Sequence, residues 1–273
     1  MQAACSVLRR DGKGLGFVPT MGALHAGHLS LVRAARARCD LVAASIFVNP
    51  LQFGPNEDFA RYPRTFERDR QLLEAEKVDL LFAPSKDEMY PAGASTAVIV
   101  EGLSERLCGR SRPGHFRGVT TVVAKLFHII QPEVAFFGQK DAAQVAIIQK
   151  MVRDLDLDVE IAVCPTVREP DGLALSSRNS YLDPQQRKAA TVLHRSLMRV
   201  QFMIDQGENN AAKLAEAGRE VIAEEPAVRL DYFEVVDPRT LEPVDNISSA
   251  ALVAVAAFVG NTRLIDNIVV RGK

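Results

Sequence analysis

Over roughly its first 165 residues the chain alternates short, β-rich apolar runs with stretches of helical periodicity, and few folds are compatible with that rhythm. Leu15-Gly16-Phe17-Val18 reads as a buried strand, 28–39 as a helix, and 41–48 as a second strand. A loop, Asn49-Pro50-Leu51-Gln52-Phe53-Gly54-Pro55, follows. A charged helix over 65–76 leads to a strand at Val78-Asp79-Leu80-Leu81-Phe82, and 96–101 is predicted to be another. A helix over 118–130, a strand at Val134-Ala135-Phe136-Phe137, a helix over 141–154 and a strand over 159–164 complete the series. Strands separated by helices of this length predict βαβ units and a mostly parallel sheet.

The pattern changes after Val167. Pro170-Asp171-Gly172 is a turn signal, and Asp183-Pro184 pairs a capping residue with a first-turn proline. Helices over 184–204 and 210–224 precede extended runs at 230–236, 250–259 and 264–270, which predicts a smaller α+β domain. No internal repeat interrupts either part. At 273 residues, one large or two unequal domains is the expectation.

Charge excludes some functions. Lys and Arg total 33 against 34 Asp and Glu, so bulk electrostatic binding of nucleic acid is disfavoured. Cys5, Cys39, Cys108 and Cys164 form no C-x-x-C pair, and reduced thiols are expected in a chain this size. No apolar segment of signal-peptide or membrane-helix length stands out, so a cytoplasmic protein without membrane attachment is expected.

The strongest local signal is Val18-Pro19-Thr20-Met21-Gly22-Ala23-Leu24-His25-Ala26-Gly27-His28-Leu29. A strand ends, a glycine turn follows, and a helix begins near His28. Free N–H groups and the positive end of a helix dipole attract phosphate there. Two histidines three apart can bring both rings to one ligand, and Gly27 clears space for a nucleotide. The carboxyl end of a strand is also where open α/β sheets bind ligands. Zinc is not indicated, for want of a third ligand. Gly12, Gly14 and Gly16 precede the strand and are not a dinucleotide fingerprint.

Three further stretches carry chemistry. Gln52 follows the second strand and offers a donor and an acceptor to a polyol acid. Phe136-Phe137-Gly138-Gln139-Lys140-Asp141-Ala142-Ala143-Gln144 is another strand-to-helix turn, with Asp141 able to cap and Lys140 able to face triphosphate oxygens. The stretch from Thr166 to Asn179 contains Ser176-Ser177-Arg178, two hydroxyls and a guanidinium suited to gripping phosphates. The charged stretch 56–70 reads as a solvated loop and helix, 109–118 as an accessory basic loop, and His115 and His128 are given no role, His128 being read as a packing residue.

H-x-G-H after the first strand resembles the signature of the nucleotidyltransferases and class I aminoacyl-tRNA synthetases. The longer run Pro19-Thr20-Met21-Gly22-Ala23-Leu24-His25-Ala26-Gly27-His28 resembles the pantothenate synthetase family almost letter for letter. The likeness runs from about Gly16 to the C-terminus, with four motifs in the family's order; Ala143-Gln144 stands where the family often has two glutamines, and the segment before Gly16 looks shorter than usual. The resemblance implies a Rossmann-like, ATP- and pantoate-binding domain over 1–166, covered by a smaller α+β domain over 167–273. It implies that ATP meets Met21, Gly22, Ala23, Leu24, His25, Ala26, Gly27 and His28, then Gly138, Gln139, Lys140 and Asp141, then Val167, Leu175, Ser176, Ser177 and Arg178. It implies that Gln52 and Gln144 hold pantoate, with Gln52 near β-alanine, and that His28, His25, Lys140 and Arg178 are catalytic. Mg²⁺ is expected through the ATP phosphates with no protein metal site, and a homodimer is expected. The implied reaction joins pantoate to β-alanine through a pantoyl adenylate, releasing pyrophosphate and AMP. Two rivals remain: an H-x-G-H nucleotidyltransferase acting on a phosphate ester, and an RNA-binding synthetase relative, for which the chain is short and neutral.

Overall fold

The structure, a computed structural model, describes residues 1–9, 12–55 and 57–272. Asn56, the head of the charged stretch 56–70, lies outside the described residues. The elements run α1 (Gln2–Arg9), β1 (Leu15–Thr20), α2 (Ala26–Arg38), β2 (Leu41–Ile46), α3 (Phe66–Ala75), β3 (Leu80–Phe82), α4 (Lys86–Met89), α5 (Cys108–Ser111), α6 (His115–Ile130), β4 (Val134–Gly138), α7 (Ala142–Asp154) and β5 (Glu160–Cys164). They continue as α8 (Pro184–Ala189), α9 (Val192–Asp205), α10 (Ala211–Ala223), β6 (Val228–Val236), β7 (Ala250–Val259) and β8 (Thr262–Arg271).

The chain divides into two compact units: Met1–Glu105 with Arg112–Gly138 and Ile147–Pro165, and Arg106–Ser111 with Gln139–Ala146 and Thr166–Lys273. In the first, five strands pair in the order β3-β2-β1-β4-β5, every pair parallel. β1 and β2 are apolar almost throughout because both faces of a parallel sheet are covered. On one face Val18, Val42, Ala44 and Phe136 pack with Leu31, Val32 and Ala35 of α2 and Leu73 of α3. α6 buries Val119, Val123 and Phe127 and packs on β1, while the Phe127 ring meets Phe137 edge-on. Each such side chain, fully buried, contributes about 1.5–3 kcal/mol. The strand order reverses between β1 and β4, which places a crevice outside their carboxyl ends.

The second unit holds an antiparallel sheet, β6-β7-β8, packed on α9 and α10. Its core gathers Leu193, Leu197 and Val200 of α9, Leu214 of α10, and Phe233, Val253 and Val255 of the sheet. The expected α/β and α+β classes are thus both present.

Three sequence expectations are corrected. Residues 96–101 form no strand: the Thr121 hydroxyl accepts from the Val98 amide and the Thr120 hydroxyl donates to the Val98 carbonyl, so α6 side chains replace a ladder partner. The helix expected over 184–204 breaks at Ala190 and Thr191 without glycine or proline. Ala190 and Thr191 both keep right-handed helical backbone angles at the join, and Ala190, Val192 and Leu193 are all buried there. The first-motif helix starts at Ala26, before His28, for a reason that belongs to the site.

Candidate active site

Three of the four motif stretches leave the carboxyl edge of the same parallel sheet: residues 21–28 follow β1, 49–52 follow β2, and the chain continues from Gly138 of β4 into a 3-10 turn, Gln139–Asp141. Strands β1 and β4 flank the point where the strand order reverses.

His25 is the N-cap of α2 and His28 its third residue. The His25 Nδ1 accepts from the Gly27 amide at 3.1 Å, and the His28 Nδ1 accepts from the His25 amide at 3.3 Å. A reciprocal box of this kind is usually built from Ser or Thr and Glu; two imidazoles do it here. Because each Nδ1 is an acceptor, a neutral ring in this cap carries its proton on Nε2. The ring centroids lie 4.1 Å apart.

Five backbone amides of this loop are engaged within the protein. Gly22 N–H donates to the Thr20 hydroxyl at 3.1 Å; Ala23 and Leu24 donate to the two oxygens of Asp69 at 2.8 Å each; His25 and Gly27 are held by the histidines. These five donors are spent on shaping the turn. Gly22 (φ +80°) and Ala23 (φ +50°) sit in the left-handed region, and a side chain at Gly22 would press on Asp69 and Ile46. Asp69 on α3, 1% exposed and also receiving the Thr65 hydroxyl at 3.1 Å, is the post to which the turn is tied. The charged stretch 56–70 is therefore not wholly solvated.

After β2, Asn49 is 1% exposed and uses all its capacity. Its Oδ1 accepts from the Leu51 amide at 3.2 Å and the Tyr90 hydroxyl at 2.9 Å, and its Nδ2 donates to Gly118 O at 3.0 Å and Gln52 Oε1 at 3.1 Å. Burial pushes the Tyr90 phenol up to about 12, so it stays a donor. With Oε1 of Gln52 taken, its Nε2 lies 2.8 Å from Met21 Sδ, a weak acceptor. Gln52 therefore presents an amide donor beside Met21, suited to a carboxylate or hydroxyl oxygen.

Gln52 is also held by its backbone. His115 Nδ1 donates to Gln52 O at 2.8 Å, Arg112 Nη2 donates to the same oxygen at 3.2 Å, and Arg112 Nη1 donates to His115 Nε2 at 3.0 Å. Glu57 grips the Arg112 guanidinium through two 2.6 Å bonds. Burial pushes the Glu57 carboxyl up, yet the Arg112 hydrogen bond and charge outweigh it and hold it below the ordinary carboxylate value. His115 thus has a role that the sequence did not reveal, and 109–118 is more than an accessory loop. No periodicity or motif marks Glu57, Arg112 or His115, which meet only in the fold. His128, by contrast, lies on the exposed side of α6 with Nδ1 donating to Ala124 O at 2.7 Å. A cleft of about 320 Å³ in this unit is lined by Met21, Gly22, Phe47, Pro50, Arg64 and Asp69 among others.

In the second unit, Lys140 and Asp141 close the 3-10 turn and Gln144 is half-buried in the first turn of α7. Arg168 and Ala174 pair across a turn, and Leu175 N–H donates to Val167 O at 3.0 Å, so two expected ATP contacts stand side by side. Ser176 caps the 3-10 turn Ser177–Tyr181, its hydroxyl accepting from the Arg178 amide at 3.2 Å. No group of three or more His, Cys, Asp or Glu among the described residues is arranged to hold a metal ion.

With this geometry in view, the family profile of pantoate-beta-alanine ligase matches residues 1–269. The chain belongs to the pantoate–β-alanine ligase family. It is an enzyme with that family's carbon–nitrogen ligase activity. The pantothenate synthetase of Koribacter versatilis (strain Ellin345) is 66% identical over 271 residues, covering 99% of this chain and 93% of the relative. That of Thermotoga neapolitana is 58% identical over 262 residues, covering 96% and 94%. Among solved ligases, pantothenate synthetase from Thermus thermophilus superposes with a TM-score of 0.92 at 51% identity, covering 97% and 96% of the two chains. Pantoate-beta-alanine ligase from Francisella tularensis, complexed with beta-gamma ATP and beta-alanine, gives 0.79 at 36% identity, covering 97% and 93%. No helix among the described residues is long and apolar enough to cross a membrane.

Proposed function

We propose that this ligase activates pantoate with ATP as a pantoyl adenylate, releasing pyrophosphate, and passes the acyl group to the amine of β-alanine, releasing AMP. A carboxylate is already a nucleophile, so the first half needs no general base; it needs neutralisation of charge growing on the α-phosphate and the leaving pyrophosphate. The observation that carries the proposal is the reciprocal His25–His28 cap, which fixes both imidazoles at the carboxyl end of β1 with each Nδ1 engaged on the backbone. In this reading His28 donates to the phosphate oxygens, with His25 beside it, and such a group supplies about 10²–10⁴-fold in rate.

Residues 21–28 receive the nucleotide, as do 138–141, Val167 and 175–178, with Lys140 and Arg178 as the cationic donors to phosphate. Gln52 donates to a pantoate oxygen near the β-alanine position, and Gln144 also holds pantoate. Mg²⁺, expected with ATP, would offset the charge of the triphosphate beside Lys140 and Arg178. The division into an ATP- and pantoate-binding part over 1–166 and a smaller part over 167–273 rests on the change of pattern after Val167 together with the family resemblance, the homodimer on the resemblance alone, and the cytoplasmic location on the sequence expectation.

Mixing ATP, Mg²⁺, pantoate and β-alanine with the enzyme and following AMP tests the proposal. AMP must appear only when pantoate is present, and pantoate with ATP alone must exchange labelled pyrophosphate. AMP release without pantoate, or ADP in its place, excludes the adenylate route.

A further inference from the structure

Two adjacent residues of β8 tie together two stretches read as binding ATP. The Asn267 side chain, 4% exposed, donates from Nδ2 to Gln139 O at 3.0 Å and Lys140 O at 2.8 Å, and accepts at Oδ1 from Gln139 Nε2 at 2.9 Å. Its own amide donates to Asp266 Oδ1 at 2.7 Å. Asp266, 3% exposed, receives Arg168 through a fork, Nη1 to Oδ2 at 2.6 Å and Nη2 to Oδ1 at 2.9 Å. Arg168 Nη1 in turn donates to Gly172 O at 3.0 Å, inside the turn that sets Val167 against Leu175.

β8 is an outer strand of its sheet, and polar groups on such an edge need partners or cover. Here the partners are the Gln139–Lys140 peptides and Arg168. Burying a carboxylate and an amide at consecutive strand positions is costly unless every donor and acceptor is met, and here they are. An apolar strand would serve packing better. What the arrangement adds is a fixed register between the backbone carrying Lys140 and the hairpin carrying Val167 and Leu175.

We propose that Asn267, backed by the Asp266–Arg168 pair, is a positioning residue for ATP: it fixes the Lys140 backbone so that the Lys140 ammonium is presented in one place, in step with the 167–175 hairpin. The proposal rests on the reading that Lys140 meets the triphosphate. Asn267 touches no substrate in this scheme and acts through Lys140 alone.

Steady-state kinetics of Asn267→Asp, Asn267→Ala, Lys140→Ala and Asp231→Asn test it. Asn267→Asp keeps the shape but loses the two donated bonds, and should raise the KM for ATP by about tenfold while leaving that for pantoate within about twofold. Asp231→Asn breaks the part-buried pair with Arg263 elsewhere in the same unit and should lower the unfolding midpoint with the ATP KM unchanged. An unchanged ATP KM in both Asn267 variants, with Lys140→Ala impaired, overturns the proposal alone. A normal ATP KM in Lys140→Ala overturns the reading of Lys140 and the proposal with it. Should the Asn267 variants not fold, hydrogen exchange in the unsubstituted enzyme decides: saturating ATP and Mg²⁺ should slow 139–142 and 264–268 together. Slowing at 139–142 with none at 264–268 sinks the idea.

Discussion

The rings of His25 and His28 stand 4.1 Å apart, each with Nδ1 spent on a backbone amide of the turn that carries them. One pair of side chains thereby starts a helix and fixes two imidazoles at the edge of the sheet. Stability and chemistry are separable at these positions. His25→Asn retains a good N-cap and should keep the unfolding free energy within about 0.5 kcal/mol, whereas His25→Ala should lose about 1 kcal/mol. Both should lower pyrophosphate exchange alike. His28→Ala should cut adenylate formation by about 10²-fold with the circular dichroism of the fold retained. Wild-type exchange rates in His25→Asn or His28→Ala would remove imidazole chemistry from the mechanism.

Asp69 makes no substrate contact in the proposed scheme yet anchors the turn through the Ala23 and Leu24 amides. Asp69→Asn replaces one acceptor by an NH₂ facing an amide donor. It should cost about 1–3 kcal/mol in urea unfolding and at least about tenfold in pyrophosphate exchange, because Gly22 and Ala23 relax from their left-handed backbone. Full activity with lowered stability would confine Asp69 to a structural part.

The Glu57–Arg112 pair gives a pH dependence with a definite sign. The folded carboxyl is held low by Arg112 against the opposing effect of burial. Its stabilisation is therefore present above the unfolded value near about 4.3 and fades as pH falls through the lower folded value. The stability gap between the unsubstituted enzyme and Glu57→Gln should be open at pH 7 and close below about pH 4. A gap of constant size from neutral to acid pH, measured by urea unfolding, contradicts this.

Gln144→Ala should raise the KM for pantoate by about tenfold or more while the KM for ATP moves by less than about twofold. Equal losses for both substrates would contradict the assigned role.

Gly118 of α6 lies against the Leu51 carbonyl, with no room for a β-carbon, and its own carbonyl receives Asn49. Gly118→Ala should push the 49–52 turn away and raise the pantoate KM, even though alanine is the better helix former by about 1 kcal/mol. A stabilised variant with unaltered kinetics would show that the turn tolerates displacement.

Much of this was legible in the linear chain because it is local. Apolar runs at 15–18, 41–48 and 134–137 mark buried parallel strands, since such strands are covered on both faces, and the turns after them mark the ligand edge. The three-residue spacing of His25 and His28 is that of a capping box, and reading it so would have placed the helix start at Ala26. The 96–101 segment misled because strand propensity cannot tell a ladder partner from the hydroxyls of Thr120 and Thr121.

The amino-acid order alone determined the strand-and-helix alternation, the class of each part of the chain and the motif residues offered to nucleotide and acid, because these follow from side-chain periodicity and short-range turn chemistry. Tertiary structure decided how those residues are held: Asp69 under the first turn, Asn49, Arg112 and His115 around Gln52, and Asn267 behind Lys140. Most of these supports join positions dozens to more than a hundred residues apart through single hydrogen bonds. A bond of that kind leaves no periodic trace in sequence, and only the packed chain brings its donor and acceptor within reach.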